Sequence, residues 1–167
     1  MDEQSVRKTT RLYTVNYNDP KAYFLTLCTS DRKPILSMIE SAGEYAAPNV
    51  VLTDIGKIVD NNIKKIGNFY AELRVDSYVI MPNHVHLILI VDASHIHEQT
   101  SPQNTVVARF LSTLKRFCNK EIGKNIWQYR SFDHIIRSKS DLVEHRRYIS
   151  DNPLHWEYDK MYDKQKG

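Results

Sequence analysis

Residues 78–91 read YVIMPNHVHLILIV. Two apolar runs flank a Pro82–Asn83 step, the composition of a hairpin with a tight connection. Side chains alternate between faces along a strand, so His84 and His86 share one face and Val85 and Leu87 the other. From Leu87 to Val91 both faces are apolar, as in an interior strand covered on both sides. Two readings of the histidine pair are open. They are imidazoles satisfied in a core or at its rim, or they are paired ligands for a divalent metal at the mouth of a buried strand.

Working outward, Tyr70–Met81 forms the other arm of the hairpin, with Leu73 and Val75 alternating against Glu72 and Arg74. Before it, Thr53 has the chemistry of an N-cap and Asp54 favours a first helical turn. Ile55, Val59, Ile63 and Ile66 recur at helical spacing, and Gly67 is placed to close that helix in a left-handed conformation. Ala22–Thr29 is a first strand, Ser30–Pro34 a turn, and Ile35–Pro48 a loop. Residues 1–20 are polar, with Arg11–Val15 a candidate edge strand. Asp92–Thr105 is a polar loop. It carries a second spaced pair, His95 and His97, in a setting that builds no strand and is expected to be exposed.

Beyond that loop, Thr105–Glu121 is a second helix with a buried stripe of Val106, Phe110, Leu114 and Phe117, closed by Gly123. Asn125–Arg137 reads as a bent strand. Ser140 caps a last helix from Asp141, and Pro153 stops it. Strand, helix, strand, strand, helix, strand predicts an α+β fold of ferredoxin-like βαββαβ topology. Its four-stranded antiparallel sheet has the first and third strands central, and a C-terminal helix is added. One domain over 1–167 is expected, with a core from about 20 to 156.

Hydrophobic residues make up 41% and charged residues 26% of the 167, an ordinary globular balance. The first residues lack a signal peptide's apolar stretch, and no run reaches the roughly 18 apolar residues of a membrane span. Cys28 and Cys118 are far apart and read as reduced thiols, which suits the cytoplasm. Between Arg109 and Arg147 ten basic residues face four acidic ones, while the rest of the chain is net negative. Arg109, Lys115, Arg116, Arg130, Arg137 and Lys139 are the candidates from this region for nucleic-acid phosphates. Tyr129 is a candidate for stacking on bases, whereas Trp127 and Phe132 are expected in the core.

On the last helix, Tyr148 and Asn152 lie four residues apart and share a face, beside a buried stripe marked by Leu142 and Ile149. Amphipathic packing and helix termination explain each alone. Together with the histidine pair they suggest more. The segments MPNHVHLIL and WQYRSFDHIIRSKSDLVEHRRYISDNP resemble the REP-associated tyrosine transposase family, within the single-tyrosine nucleases of the histidine–hydrophobic–histidine class. The resemblance covers roughly Tyr23 to Trp156.

The resemblance implies that Tyr148 is a nucleophile and that His84 and His86 bind Mg²⁺ or Mn²⁺, with Asn152 a third ligand. Related insertion-sequence enzymes more often carry Gln at that position. It further implies an endonuclease and strand transferase that cuts single-stranded DNA beside hairpins through a 5′-phosphotyrosine, as a monomer or a homodimer. The rival expectation is a non-catalytic module that binds single-stranded nucleic acid on the same sheet. His134 carries no assigned role.

Overall fold

The computed structural model describes residues 21–92 and 105–158. The candidate strand at Arg11–Val15 and the pair His95 and His97 lie outside the described residues. Strands β1 (Lys21–Cys28), β4 (Leu73–Ile80), β5 (His84–Val91) and β6 (Phe132–Ile136) form one antiparallel sheet in the order β4-β5-β1-β6. The first and third strands of the predicted set are therefore central. Helices α1 (Asp54–Gly67), α2 (Val106–Ile122) and α3 (Lys139–Asp151) complete the α+β architecture.

The two sheet faces bury different things. Leu25, Leu27, Val85, Leu87 and Leu89 point into the main core, against Val59, Ile63 and Ile66 of α1 and Phe110 and Leu114 of α2. The opposite face is smaller. There Ile88 and Ile136 pack with Ile149 of α3, and Phe24, Ile90 and Leu142 border them. Strand β5 is buried almost throughout, as its apolar run requires. His84 and His86 fall on the α3 side.

The expected cap at Thr53 forms, and Thr105, read as the first residue of the second helix, is that helix's cap. Each threonine hydroxyl accepts from a backbone N–H three residues on. Gly123 adopts φ 84° and ends α2 in the left-handed conformation. Gly67 does not. The cap of α1 is Asn68 in the right-handed helical region. A Cβ on Gly67 would come within 3.0 Å of Val75, so the glycine serves the close approach of α1 to β4. Ser138, not Ser140, caps α3 by accepting from Asp141 N–H.

Other expectations are corrected. The presumed loop from Ile35 to Pro48 begins a separate two-stranded sheet, β2 (Ser37–Glu40) against β3 (Asn49–Leu52). The bent strand over Asn125–Arg137 shortens to β6, with an isolated bridge between Thr29 and Trp127. Trp127 is buried as expected, but Phe132 is 48% exposed because β6 is an edge strand. Past α3, Asn152–Tyr158 continues as a 3-10 helix.

Helix α3 buries only Ile149, so polar contacts matter to its docking. A register shift in β4 between Val75 and Ser77 marks a bulge at Asp76. Arg146 Nε donates to Asp76 Oδ2 at 2.7 Å, and its Nη2 donates to Oδ1 at 2.6 Å. This fork on a carboxylate that is 8% exposed ties α3 to the sheet. Hydrogen bonding from Arg146, more than the opposing effect of burial, holds the Asp76 pKa below its ordinary 3.8.

A depressed carboxylate pKa stabilises the fold above the unfolded value, and that contribution disappears as pH falls through the folded value. Asp76→Asn should therefore be less stable than the parent at pH 7. The difference should shrink below pH 3.8, as read by urea denaturation across that range.

Candidate functional site

The site begins with register. Thr26 on β1 stands opposite His86 on β5 and opposite Phe132 on β6, so the three form a row on the α3 face. The Thr26 hydroxyl and His86 Nδ1 are 2.8 Å apart. His84 sits one row nearer the strand end. Its Nδ1 donates to Asn83 Oδ1 at 2.8 Å, while Asn83 Nδ2 donates to the Arg32 carbonyl at 3.3 Å. That second bond orients the amide, so the His84 proton resides on Nδ1 and the lone pair on Nε2. The Nε2 atoms of both imidazoles are buried.

Asn83 is held in turn by the turn beside it. The Thr29 N–H and hydroxyl donate to the Asn83 carbonyl, each at 3.0 Å. Asp31 and Arg32 both adopt positive φ, 54° and 53°, which is uncommon outside glycine. The backbone thus accepts strain where it presents the Arg32 carbonyl to Asn83.

Helix α3 delivers the tyrosine to this row. The Tyr148 ring lies edge-on to His86 with centroids 5.3 Å apart, and the two imidazoles are 4.5 Å apart. Phe24 stacks on His86 at 5.0 Å and meets Tyr148 edge-on at 5.8 Å. Tyr148 remains 45% exposed. One turn on, Asn152 is 3% exposed. Its Oδ1 is buried and finds no hydrogen-bond partner among the described residues. A further four residues on, the Trp156 ring packs against His84 at 5.9 Å. Tyr148 and Trp156 thus bracket Asn152 along a segment that runs beside both imidazoles.

A buried amide oxygen without a donor is costly unless something satisfies it. With two imidazoles on the same sheet face, the donor set is two nitrogens and one oxygen. That set suits a divalent cation and leaves coordination positions open for substrate oxygens. The residues present therefore fit such an ion.

The basic candidates divide by location. Arg109, Lys115 and Arg116 stand on α2, which covers the opposite sheet face. Arg109 meets Glu72 at 3.6 Å, and Arg116 lies over the Phe117 ring. Lys115 Nζ donates to the carbonyls of Gln128 and Tyr129 at 2.9 and 3.2 Å, and burial lowers its pKa. Arg130, Arg137 and Lys139 flank β6 and are exposed. Tyr129 is fully exposed.

Four further side chains touch the histidines: Asn83, Thr26, Trp156 and Phe24, the last an aromatic residue of a predicted strand with no local mark of its role. Asn83 adjoins the pair, and its position in Met-Pro-Asn-His was the available signal. Thr26 becomes visible only once β1 is aligned with β5. Trp156 follows from the four-residue spacing Tyr148, Asn152, Trp156, which was readable had the helix been extended past Pro153.

The chain thus places paired histidines and a tyrosine helix on one face of a four-stranded antiparallel sheet. Known proteins share this fold. The structure superposes on a REP-associated tyrosine transposase solved bound to a REP hairpin, with a TM-score of 0.62 over 90% of this chain and 76% of that one, at 21% identity. The REP-associated tyrosine transposase of Escherichia coli K12 is 29% identical over 80 residues, 48% of this chain and 44% of that protein. A Haemophilus influenzae protein of uncharacterised function is 28% identical over 174 residues, 93% of each chain. No protein-family model matches. In fold and in sequence the chain is similar to REP-associated tyrosine transposases, the family its motifs resemble. No helix among the described residues is long and apolar enough to cross a membrane.

If Asn83 orients His84 for an ion, Asn83→Ala should weaken Mn²⁺ binding by about tenfold to a hundredfold, the usual effect of losing such a support. Titration calorimetry would read this, and an unchanged affinity would show that the amide is only part of the turn.

Proposed function

We propose that the chain is a metal-dependent endonuclease and strand transferase acting on single-stranded DNA beside hairpins. The observation that carries this reading is the Tyr148 ring resting against His86, with the unsatisfied Asn152 oxygen one turn on. A relative solved on hairpin DNA supports the substrate class.

In this reading Tyr148 is the nucleophile. Its oxygen attacks the scissile phosphorus, the bond from phosphorus to O3′ breaks, and a 5′-phosphotyrosine forms. The phenol gives up its proton as the new bond forms, and the departing O3′ takes one up. The adduct keeps the phosphoester available for rejoining to another 3′-hydroxyl. His84, His86 and Asn152 are the residues that would hold Mg²⁺ or Mn²⁺. When bound, such an ion supplies charge stabilisation at the non-bridging phosphate oxygens and acidifies a nearby phenol.

The protein's own part is positioning. Ile149 and the Arg146–Asp76 fork fix α3, so the phenol is held beside the imidazoles before substrate arrives. The exposed side of Tyr148 admits a flexible strand more readily than a duplex. Arg130, Arg137 and Lys139 are the basic groups near this face available to phosphates. Nucleophile and imidazoles come from one chain, which favours a monomer that completes its own site. A cytoplasmic location goes with DNA as substrate.

Incubation with labelled single-stranded hairpin DNA and Mn²⁺ should give a protein–DNA band that survives SDS. Tyr148→Phe should abolish that band while leaving DNA affinity within about twofold by fluorescence anisotropy. An adduct persisting in Tyr148→Phe would place the nucleophile elsewhere, and reversible binding with no adduct in the parent would favour a binding module.

His84→Ala with His86→Ala should remove cleavage of the same DNA by several orders of magnitude, since the metal would be lost with its ligands. Undiminished Mg²⁺-dependent cleavage in that double variant would sink the assignment of the pair.

A further inference from the structure

A second cluster of ligand-type side chains lies on the same sheet face and plays no part in the proposed chemistry. His134 on β6 stands opposite Phe24. Asp141 and His145 are four residues apart on α3, and the helix lays both against β6. One ring nitrogen from each histidine and one Asp141 carboxylate oxygen lie within 4.8 Å of one another.

The individual spacings are informative. His145 Nδ1 is 3.0 Å from Asp141 Oδ1, and His134 Nε2 is 3.5 Å from Asp141 Oδ2. Ligand atoms about 2.0–2.1 Å from a tetrahedral ion are separated from each other by about 3.3 Å. Each histidine is thus close to that separation from one of the two carboxylate oxygens. The remaining gap between the rings can close by rotation of His134, which is 56% exposed. Arg137 N–H donates to Asp141 Oδ2 at 3.3 Å, and His145 Nδ1 donates to the Asp141 carbonyl at 2.8 Å. Binding an ion through Nδ1 exchanges this second bond, with its proton, for the metal.

We infer that His134, Asp141 and His145 form a second divalent-metal site, separate from the His84–His86 pair, that staples α3 to β6. Two imidazoles and one carboxylate favour a borderline transition metal such as Zn²⁺ over Mg²⁺. The exposure of His134 leaves room for water to complete the coordination. The position gives the site a consequence. Beyond Ile149 and the Arg146–Asp76 fork, α3 has few anchors, and its first turns rest on this cluster. The His145 ring stacks on His134 at 5.0 Å and packs on Phe24 at 4.9 Å. Phe24 is also the ring against which His86 and Tyr148 lie. An ion here ties the tyrosine helix down from the end remote from the catalytic pair, so its occupancy sets how firmly Tyr148 is presented.

The test uses the full chain carrying His84→Ala and His86→Ala, freed of metal by chelation, so it does not depend on the nuclease reading. Titration calorimetry with Zn²⁺ should show one site per chain. Adding His134→Ala or His145→Ala, each checked for fold by circular dichroism, should weaken that site at least tenfold. Zn²⁺ should also slow amide exchange across residues 139–151 in the unsubstituted cluster and not in His145→Ala. No Zn²⁺ binding in the double variant, or binding that neither added substitution changes, would overturn the second site. Binding without slower exchange in α3 would overturn its role as a staple.

Discussion

The constraint on which the rest depends is the central position of β5. A strand hydrogen-bonded on both sides and covered on both faces has no freedom of register or orientation. His84 and His86, two apart on that strand, must then face the same way at fixed depth. Opposite them, Val85 and Leu87 are committed to the main core with α1 and α2. Turning the pair to the other side would expel those apolar groups and bury two imidazoles among leucines, so the large core effectively aims the small polar cluster.

The opposite partner is held far less firmly. Helix α3 buries one isoleucine and borrows the rest of its docking from charge and rings: the fork from Arg146 to the bulged Asp76, the Phe24 contacts and the carboxylate shared by His134 and His145. Such contacts are individually worth less than core burial and respond to pH, salt and metal. The site thus joins a rigid half to an adjustable half. The imidazoles are therefore fixed by the core, while the position of Tyr148 depends on contacts that can be shifted.

The fold was largely legible because its central strands carry long, unambiguous patterns. HLILIV carries the unbroken apolar run of an interior strand, and the cap at Thr53 is written in the sequence. What escaped notice has physical causes. The strands SMIE and NVVL are four residues long, too short for alternation to rise above a loop. Gly67 looked like a helix terminator because its reason for being glycine, the nearby Val75, comes from tertiary packing. Phe132 looked like core because an aromatic residue carries no mark of being on an edge strand. Of the proposed site, His84, His86, Tyr148 and Asn152 stand out by spacing and by family motif. Thr26, Asn83 and the His134 cluster depend on cross-strand register or on turn geometry, neither of which is written in local sequence.

Charge offers the sharpest case of a linear pattern misleading in three dimensions. The basic surplus between Arg109 and Arg147 suggests one continuous anionic-ligand surface. The fold splits it across the sheet. Lys115 is spent on two backbone carbonyls and fastens the segment leading into β6, while Arg109 and Arg116 are engaged on the far side by Glu72 and by the rings of Tyr70 and Phe117. Arg146 is absorbed by Asp76. The residues left near the histidine face are Arg130, Arg137 and Lys139, grouped around the edge strand β6. Along that strand Tyr129, Arg130 and Phe132 lie at the end that pairs with the row containing His86, and Arg137 and Lys139 follow its other end. The basic surplus of the linear sequence is thus dispersed over both sheet faces and both ends of β6 and forms no single continuous surface.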